Sequence, residues 1–321
     1  MTKDKLARVV RAAKMYYQLD YSQQTIAEEL GISRPSVSRL LQEAKERGIV
    51  QIRIVDPEED VQQLAELLKE HYGLKECLIA DSPVNDEKVI KEEIGRKASE
   101  YLFQIVKDGD IIGATWGTTI YEIARHMKTK SVHDVNVTQL NGGVSYSETN
   151  TYAAEILNYL GRAFHTSPHF LPLPAIVDHL VVKQAIVSDR HIRYVLDLAE
   201  KANIALFTVG NRYEESALYK ADYLSEEDLK ILKEKNAVGD ICSHMIDIEG
   251  NVCDEGINSR TIGIGLEHLR KKEFSILAAG GMKKAEGIIG ALNGKYANVL
   301  ITDQYTAEVL ISKIRQEDTA S

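Results

Sequence analysis

The sequence is poor in cysteine and has no long apolar run, and each shortage excludes a class of protein. Three cysteines among 321 residues are too few and too scattered for a disulfide framework, so we expect a protein of the reducing cytoplasm. No apolar run approaches the roughly 18 residues of a membrane span, and the N-terminus lacks the apolar stretch of a signal peptide. With 44% hydrophobic and 27% charged residues, the composition is that of a globular chain of about two domains.

Motifs of catalysis, metal binding and nucleotide binding are also missing. There is no GxxxxGK(S/T) phosphate loop, no GxSxG nucleophile turn and no HExxH metal motif. Cys242 and Cys253 have His244 between them, but the spacing is too wide for a zinc site, and buried structural cysteines are the better interpretation. We therefore expect no metal, no cofactor and no hydrolysis of nucleoside triphosphates.

Charge is divided unevenly along the chain. The net charge is −9, which taken alone argues against a nucleic-acid partner. Residues 1–55, however, contain ten Lys and Arg against six Asp and Glu, a balance of +4, and the remainder carries −13. Chance clustering can give such a balance, but a basic head on an acidic body favours contact between the head and a polyanion.

Residues 22–48, SQQTIAEELGISRPSVSRLLQEAKERG, have the pattern of a helix-turn-helix. Gly31 lies where the short turn needs a positive φ, and the small Ala27 lies where two helices cross closely. The core between the helices would be closed by Ile26, Leu30, Ile32, Val37 and Leu40. The pattern predicts a DNA-binding head, although small helical pairs of this kind also occur without DNA.

The second helix of this motif would present its N-terminal end and outer face to the major groove. Ser22 can cap the first helix, and either Ser33 or Arg34 caps the second, with Pro35 in its first turn. The candidate DNA-binding residues are Ser22, Gln23, Ser33, Arg34, Ser36 and Arg39. After Gly48 the stretch IVQIRIVD alternates like a strand and predicts a small wing.

Composition shifts predict four segments. Residues 1–55 form the helix-turn-helix domain, and residues 56–73 form a linker helix that follows Asp56-Pro57. Residues 74–315 form the effector-binding and oligomerisation domain, and residues 316–321 form a polar tail. The linker helix either packs on its own domain or transmits a change in the body to the spacing of two heads, and these roles are compatible.

From Leu74 onward, short apolar runs alternate with helical patterns. LKECLIAD, DIIGAT, VNVTQL, ANIALFTVG, FSILAAGG and NVLITD are the predicted strands. This alternation predicts an α/β fold with a doubly wound, mainly parallel sheet. In such sheets a ligand binds beyond the carboxyl ends of the strands.

Several predicted strands end in residues that suit a small phosphorylated ligand. Thr115–Thr119 combines a glycine, hydroxyl groups and a helix N-terminus, which is a site for a phosphate-sized anion. Lys284 could meet the phosphate as a point charge. Asn141, Asp240 and Asp254 could contact ligand hydroxyls or could equally cap loops. The candidate effector-binding residues are Gly117, Thr118, Thr119, Asn141, Gly142, Asp240, Asp254, Arg260 and Lys284.

A sugar-phosphate isomerase-like enzyme with an accessory DNA-binding head is the alternative to a regulator. Such an enzyme needs a positioned acid/base pair, and Asp240 with His244 is the local pair available. On one continuous strand these two side chains would lie about 13 Å apart, which is too far for direct cooperation. We therefore expect no enzyme activity.

Seven segments spread over nearly the whole chain resemble the SorC family of bacterial sugar-responsive transcription regulators. They are YSQQTIAEELGISRPSVSRLL, VKDGDIIGATWGTTIYEIA, LNGGVS, NIALFTVG, VGDICS, INSRTIGI and GKYANVLITD. The resemblance implies a winged helix-turn-helix head and a body similar to sugar-phosphate isomerases. It also implies a homotetramer whose operator affinity changes when a phosphorylated sugar binds at the strand ends, and we expect a repressor.

By position, the resemblance makes Gly117, Thr118, Thr119 and Lys284 a phosphate cradle and makes Asp240 and Arg260 pocket residues. One departure concerns position 141, where a family member that traps an aldehyde sugar as an imine would have lysine. The amide of Asn141 cannot form a Schiff base. Either deoxyribose 5-phosphate binds non-covalently, or the effector is a different phosphosugar.

Overall fold

Residues 3–50, 61–143 and 150–320 are described by the computed structural model, and the chain divides into units Met1–Glu59 and Asp60–Ser321. The first unit contains three helices. They are α1 (Lys3–Tyr17), α2 (Gln23–Leu30) and α3 (Arg34–Glu46). Their shared core includes the buried side chains of Ala12, Met15, Ile26, Ala27, Val37 and Leu41.

The turn between α2 and α3 has the geometry that the sequence predicts. Gly31 adopts φ 62° and donates its N–H to the carbonyls of Ala27 and Glu28. The N–H of Ile32 also donates to the Ala27 carbonyl, at 3.0 Å. These bonds satisfy carbonyls at the end of α2 and stop the helix. The helix-turn-helix prediction is thereby confirmed, whereas the wing predicted over residues 49–56 lies, from residue 51 onward, outside the described residues.

The second unit alternates helices with short strands. Its strands are β1 (Glu76–Ala80), β2 (Ile111–Ala114), β3 (Asn136–Gln139), β4 (Ile204–Phe207), β5 (Gly239–Ile241), β6 (His244–Ile246), β7 (Phe274–Ala278) and β8 (Val299–Asp303). Its helices are α4 (Val61–Tyr72), α5 (Glu87–Ile105), α6 (Thr118–His126), α7 (Ala153–Ala163), α8 (Leu180–Ser188), α9 (Arg190–Lys201), α10 (Ala217–Lys220), α11 (Glu226–Glu234), α12 (Glu255–Asn258), α13 (Leu266–Leu269), α14 (Ala285–Asn293) and α15 (Gln304–Ala320).

Six strands form one parallel sheet in the order β1-β8-β7-β4-β2-β3, and β5 pairs with β6 as an antiparallel hairpin. The chain leaves β2 towards one edge of the sheet, to β3, and leaves β4 towards the other, to β7. The prediction of a doubly wound, mainly parallel sheet is confirmed, and the carboxyl ends of β2 and β4 form its switch point.

Both faces of the sheet are buried, which explains why its strands read as nearly continuous apolar runs. Ile204 and Leu206 of β4 belong to the core beneath α5, α6 and α7. Ala205 and Phe207 of the same strand belong to the core beneath α4, α9, α14 and α15. Successive residues alternate between the two cores because side chains along a strand point to opposite faces.

The segments predicted as a linker helix and as a polar tail both belong to the body of the protein. Helix α4 lies within the second unit, where it packs against β1 and α15, with Leu68 and Tyr72 buried. Residues 316–320 continue α15 as far as Ala320. The helix predicted within residues 56–73 is observed at Val61–Tyr72, and its apolar face packs on the body's own core.

Candidate functional site

The N-terminal end of α3 is the exposed edge of the helix-turn-helix. Ser33 has extended backbone and precedes the helix, so of the two predicted caps it is Ser33 that occupies the N-cap position. Its hydroxyl contacts that of Ser36 at 2.9 Å, and Ser36 is half-buried. Arg34 and Arg39 are exposed and make no ion pair with another described residue, so both guanidinium groups are available to a polyanion.

The start of α2 supplies the other two predicted DNA contacts. The Ser22 hydroxyl accepts the Thr25 N–H at 3.1 Å and so caps the helix, as predicted. Gln23 is the first residue of α2 and is half-buried. The capping bond fixes the helix end that faces a nucleic-acid backbone in this motif.

A cavity of about 230 Å³ lies in the second unit at the carboxyl ends of β2, β4 and β7. Its volume is below the roughly 300–1,000 Å³ of pockets for drug-sized ligands, which limits it to a small molecule. Six of the nine predicted effector-binding residues line it, namely Gly117, Thr118, Thr119, Asn141, Asp240 and Lys284. The structure therefore gathers at one place residues that lie far apart in the chain.

The N-terminus of α6 forms one wall of this cavity. Gly117 precedes the helix with φ 122° and ψ 165°, a conformation that side-chain-bearing residues rarely adopt. The first N–H groups of a helix lack intrahelical partners and carry a partial positive charge. Together with the hydroxyls of Thr118 and Thr119, they make this wall a donor surface for an anion.

Two buried oxygens in the cavity wall lack hydrogen-bond partners among the described residues. They are Thr115 Oγ1 and Asn141 Oδ1. The Asn141 side chain is 2% exposed, and its Nδ2 donates to Ser243 Oγ at 2.8 Å, which fixes the amide plane. An unpaired buried acceptor is costly. Thr138 Oγ1 and Thr302 Oγ1 are likewise unpartnered but do not line the cavity, so the two oxygens in the lining are candidates for ligand contacts on the strength of their position.

The hairpin of β5 and β6 brings Asp240 into the cavity. Cys242 (φ 51°) and Ser243 (φ 70°) form its two-residue turn in left-handed conformation, and both line the cavity. Non-glycine residues in this region cost of order 1 kcal/mol each and concentrate at functional sites. The continuous strand predicted from Asp240 to His244 is wrong, because this turn reverses the chain between them.

Asp240 and Lys284 carry opposite charges within the cavity, and burial perturbs both. Burial raises the pKa of Asp240 to about 6, although the Ser243 N–H and the charge of Lys284 oppose the shift. Burial lowers the pKa of Lys284 to about 8, helped by the charge of Lys91 and opposed by that of Asp240. Strongly perturbed groups in a cleft mark a candidate binding site.

The side chain of His244 does not line the cavity. One ring nitrogen contacts Asn258 Oδ1 at 2.5 Å and the other contacts the Ile264 carbonyl at 3.0 Å. Both nitrogens are engaged, and burial lowers the pKa of the imidazole. The pair of Asp240 and His244, considered from the sequence for an enzyme, is therefore not assembled at this cavity.

Gly142, a predicted effector contact, lies behind the cavity wall. A Cβ added there would lie 2.1 Å from the Pro174 carbonyl oxygen, so this glycine allows the close approach of two backbone segments. Its own carbonyl accepts the Trp116 indole N–H at 2.7 Å. Packing accounts for this glycine.

Asp254 and Arg260 also lie outside the cavity lining. Asp254 caps α12 by accepting the Ile257 N–H at 2.9 Å. Its side chain therefore has the capping role that was predicted as the alternative to a ligand contact. Arg260 donates to Asp228 at 2.7 Å and to the Val177 carbonyl at 3.2 Å. These contacts hold the guanidinium in a separate surface depression.

The sequence reasoning missed residues of two kinds. Thr208–Asn211 follow β4 directly, so the strand-end rule that selected Thr115–Thr119 could have found them. Glu87 and Lys91 lie on α5, where their 2.5 Å ion pair resembles ordinary i,i+4 charge pairing on a helix surface. No local signal distinguishes that pair from a solvated one.

Neither a cluster of metal ligands nor a membrane-spanning helix is found among the described residues. Within 3–50, 61–143 and 150–320, no group of three or more His, Cys, Asp or Glu side chains could hold a metal ion. Over the same part of the chain, every helix is too short or too polar to cross a lipid bilayer.

Comparison with known families divides the chain in the same way. Residues 4–59 match the family model described as "Crp-like helix-turn-helix domain", and residues 56–312 match the one described as "Putative sugar-binding domain". The second match covers most of the chain and includes every residue of the cavity.

Whole-length relatives are transcriptional regulators. The deoxyribonucleoside regulator of Bacillus subtilis (strain 168) is 51% identical over 98% of this chain and 100% of its own. The sorbitol operon regulator of Klebsiella pneumoniae is 32% identical over 96% of this chain and 98% of its own. The crystal structure of full-length SorC from Klebsiella pneumoniae matches with a TM-score of 0.76 at 28% identity, over 97% of this chain and 100% of that one. With its helix-turn-helix head, its sugar-binding unit and these relatives, the chain belongs to the SorC family of sugar-responsive transcriptional regulators.

Proposed function

We propose that the chain is a cytoplasmic, homotetrameric repressor whose operator affinity is controlled by a phosphorylated sugar bound non-covalently in the cavity at the switch point. The observation that carries the proposal is the meeting of a helix N-terminus, a half-buried lysine and unpartnered oxygens in one small cavity. A phosphosugar has an anionic end and several hydroxyls, and this cavity offers a partner for each.

The ligand lies with its phosphate at the N-terminus of α6. Backbone N–H groups and the hydroxyls of Thr118 and Thr119 donate to the phosphate, and Lys284 supplies the positive charge. Asp240 and Asn141 accept from the sugar hydroxyls at the other end of the cavity. Asn141 holds the ligand through a hydrogen bond, since an amide nitrogen is not a nucleophile towards an aldehyde.

Deoxyribose 5-phosphate is our first candidate for the effector. Its support is the name of the Bacillus subtilis relative, a deoxyribonucleoside regulator, together with the size of the cavity. We assign no catalytic role to the site, because His244 is engaged elsewhere and the relatives are regulators. A sugar that prefers one arrangement of the body shifts operator binding by a coupling of about 1–3 kcal/mol.

Thermal stability tests the effector class. When deoxyribose 5-phosphate is added at about a hundred times its dissociation constant, the free energy of unfolding of the purified protein is expected to rise by about 2.7 kcal/mol. Free deoxyribose at the same concentration should give no shift, because it lacks the phosphate. Ribose 5-phosphate and glucosamine 6-phosphate are the comparison ligands. No shift with any phosphosugar would contradict the effector and would leave the DNA-binding head unaffected.

Phosphosugar binding is expected to be strongest between about pH 6 and pH 8. Below about pH 6 Asp240 gains a proton and no longer accepts hydrogen bonds at full strength, and above about pH 8 Lys284 loses its charge. Isothermal titration calorimetry from pH 5 to pH 9 measures the profile.

The Asp240→Asn variant is the control for this profile. A phosphate monoester also gains a proton near pH 6, and that effect acts equally on both proteins. The variant should therefore show a shallower acid limb than the native protein, and its alkaline limb should begin at lower pH because the charge of Asp240 no longer raises the pKa of Lys284. Two superimposable profiles would remove Asp240 from the site.

A further inference from the structure

Ser243, in the wall of the cavity, has a backbone conformation that serine rarely adopts. Its φ of 70° lies in the left-handed region, where glycine is unstrained and serine is not. The side chain is 1% exposed and lines the cavity. A serine kept in this conformation indicates that its hydroxyl group makes a contact that glycine could not make.

Two polar side chains of the cavity meet at Ser243. Its Oγ accepts a hydrogen bond from Asn141 Nδ2 at 2.8 Å, and its N–H donates to Asp240 Oδ2 at 3.2 Å. Gly210 leaves room for this arrangement, because a Cβ added there would lie 1.8 Å from Asp240 Oδ1. Ser243 thus holds the amide that follows β3 and the carboxylate of β5 in fixed positions relative to each other.

The orientation of the Asn141 amide decides what this part of the cavity can recognise. Its backbone is fixed, since the Asn141 carbonyl accepts Gln139 Nε2 at 2.7 Å and the residue bridges to Gly263. With Nδ2 on Ser243, the group left for a ligand is Oδ1, which has no partner among the described residues. An amide oxygen and an ionised carboxylate only accept hydrogen bonds. Asn141 and Asp240 therefore form an acceptor pair that requires hydroxyl donors.

Exposure differs between the two ends of the cavity, which orients a sugar phosphate. Thr118 is exposed and Lys284 is half-buried, whereas Asn141 and Ser243 are buried. In the proposed function the phosphate lies at the exposed end, so the opposite end of the sugar, which carries C1, reaches the acceptor pair. In the ring form C1 bears a hydroxyl that can donate. In the open-chain form C1 is an aldehyde whose oxygen can only accept, so it would leave the pair unsatisfied.

We propose that Ser243 is a positioning residue, and that the acceptor pair it holds selects the cyclic hemiacetal form of the phosphosugar over the open-chain aldehyde. The anomeric hydroxyl donates to Asn141 Oδ1. The proposal rests on the proposed function, because it takes a phosphosugar in this cavity as given, and it adds which form of that sugar is bound. Since the ring has no free carbonyl, the amine of Lys284 has no aldehyde with which to condense.

Carbon NMR of deoxyribose 5-phosphate enriched at C1 observes the bound form directly. We expect the signal of the bound sugar to be that of a hemiacetal carbon, and we expect borohydride to leave the mass of the protein unchanged. A bound aldehyde signal would overturn the proposal. A sugar adduct would do the same, because borohydride reduces an imine between C1 and a lysine amine to a stable secondary amine. If the sugar does not bind at all, the proposed effector is wrong as well, so the two failures are distinguishable.

Ser243→Gly tests the positioning role, and glycine adopts the left-handed conformation without strain. The probe is the 1-deoxy analogue of deoxyribose 5-phosphate, a ring that lacks the anomeric hydroxyl. We expect the native protein to bind this analogue about tenfold more weakly than deoxyribose 5-phosphate, because Asn141 Oδ1 then stays unpaired. In Ser243→Gly the amide is free to turn, so the difference should fall to about twofold or less.

Asn236→Gly is the matched control for this variant. Asn236 is exposed, has φ 52° and lies outside the cavity lining, so the change relieves a left-handed conformation elsewhere. Calorimetry should give this control the same ratio of affinities as the native protein, and melting curves establish that both variants are folded. A purely structural Ser243 would leave the ratio unchanged in Ser243→Gly, which would overturn the positioning role. Equal affinities of the native protein for the two sugars would overturn the anomeric contact.

Discussion

Replacing Lys284 with alanine is expected to weaken phosphosugar binding about 10- to 100-fold while the operator affinity of the sugar-free protein stays unchanged. A hydrogen bond to a charged group contributes about 1.5–3 kcal/mol, and the lost partner here is the cation that faces the phosphate. Burial lowers the pKa of Lys284 to about 8, so the amine is still largely protonated at neutral pH. Calorimetry with deoxyribose 5-phosphate and operator binding with and without the sugar measure the two quantities.

Lys283 provides a control that differs by one position in the chain. Its side chain is 73% exposed and does not line the cavity, although it pairs at 3.0 Å with Glu215, which does. Lys283→Ala removes the same charge from the same loop, so it should change sugar affinity less than about twofold. Equal losses in the two variants would mean that the loop's general charge attracts the ligand and that Lys284 makes no direct contact.

Replacing Arg39 with alanine is expected to weaken operator binding by about 1–3 kcal/mol for each head, and by twice that when two heads bind one operator. Arg39 is exposed on α3 and has no ion-pair partner among the described residues, so no internal contact is lost with it. Its guanidinium can donate two hydrogen bonds to a guanine edge. Titration of a fluorescent operator at several salt concentrations measures the effect.

The salt dependence separates a base contact from a phosphate contact. Loss of a phosphate contact reduces the slope of log affinity against log salt by about one, and loss of a base contact leaves the slope unchanged. Arg47→Ala is the control, because Arg47 lies just beyond the last turn of α3 and pairs with Glu43 at 2.8 Å. An Arg39 variant that binds the operator as tightly as the Arg47 variant would remove Arg39 from the interface.

The fold was predictable from the sequence because its determinants are local. Ser22 and Gly31 mark the ends of α2 through capping and a left-handed turn, and both signals can be seen within a few residues. The strands are short apolar runs with helices between them, which indicates burial on both faces. The segment from Asp240 to His244 is not a continuous strand, because Cys242 and Ser243 adopt left-handed conformations that could not be predicted from their residue types.

The cavity was predictable only in part, because its contacts are made in three dimensions. The strand-end rule identified Thr118 and Lys284, but it could not show that Arg260 would instead pair with Asp228, a residue on another helix. Lys91 reaches the cavity from the second turn of α5, and its spacing from Glu87 indicates only a surface ion pair. The role of a residue that depends on a partner far away in the chain cannot be predicted from its neighbours in the sequence.

The position of β1 at the edge of the sheet has a consequence for how the chain is made. Glu76 pairs with Val299, so the first strand has no neighbour until almost the entire chain has left the ribosome. The helices of the head pack on one another over short sequence distances, which favours fast folding. The head can therefore fold early in synthesis, whereas the body must wait for β8. A chain ended before Val299 would carry a folded head on an unfinished sheet whose apolar strands invite aggregation.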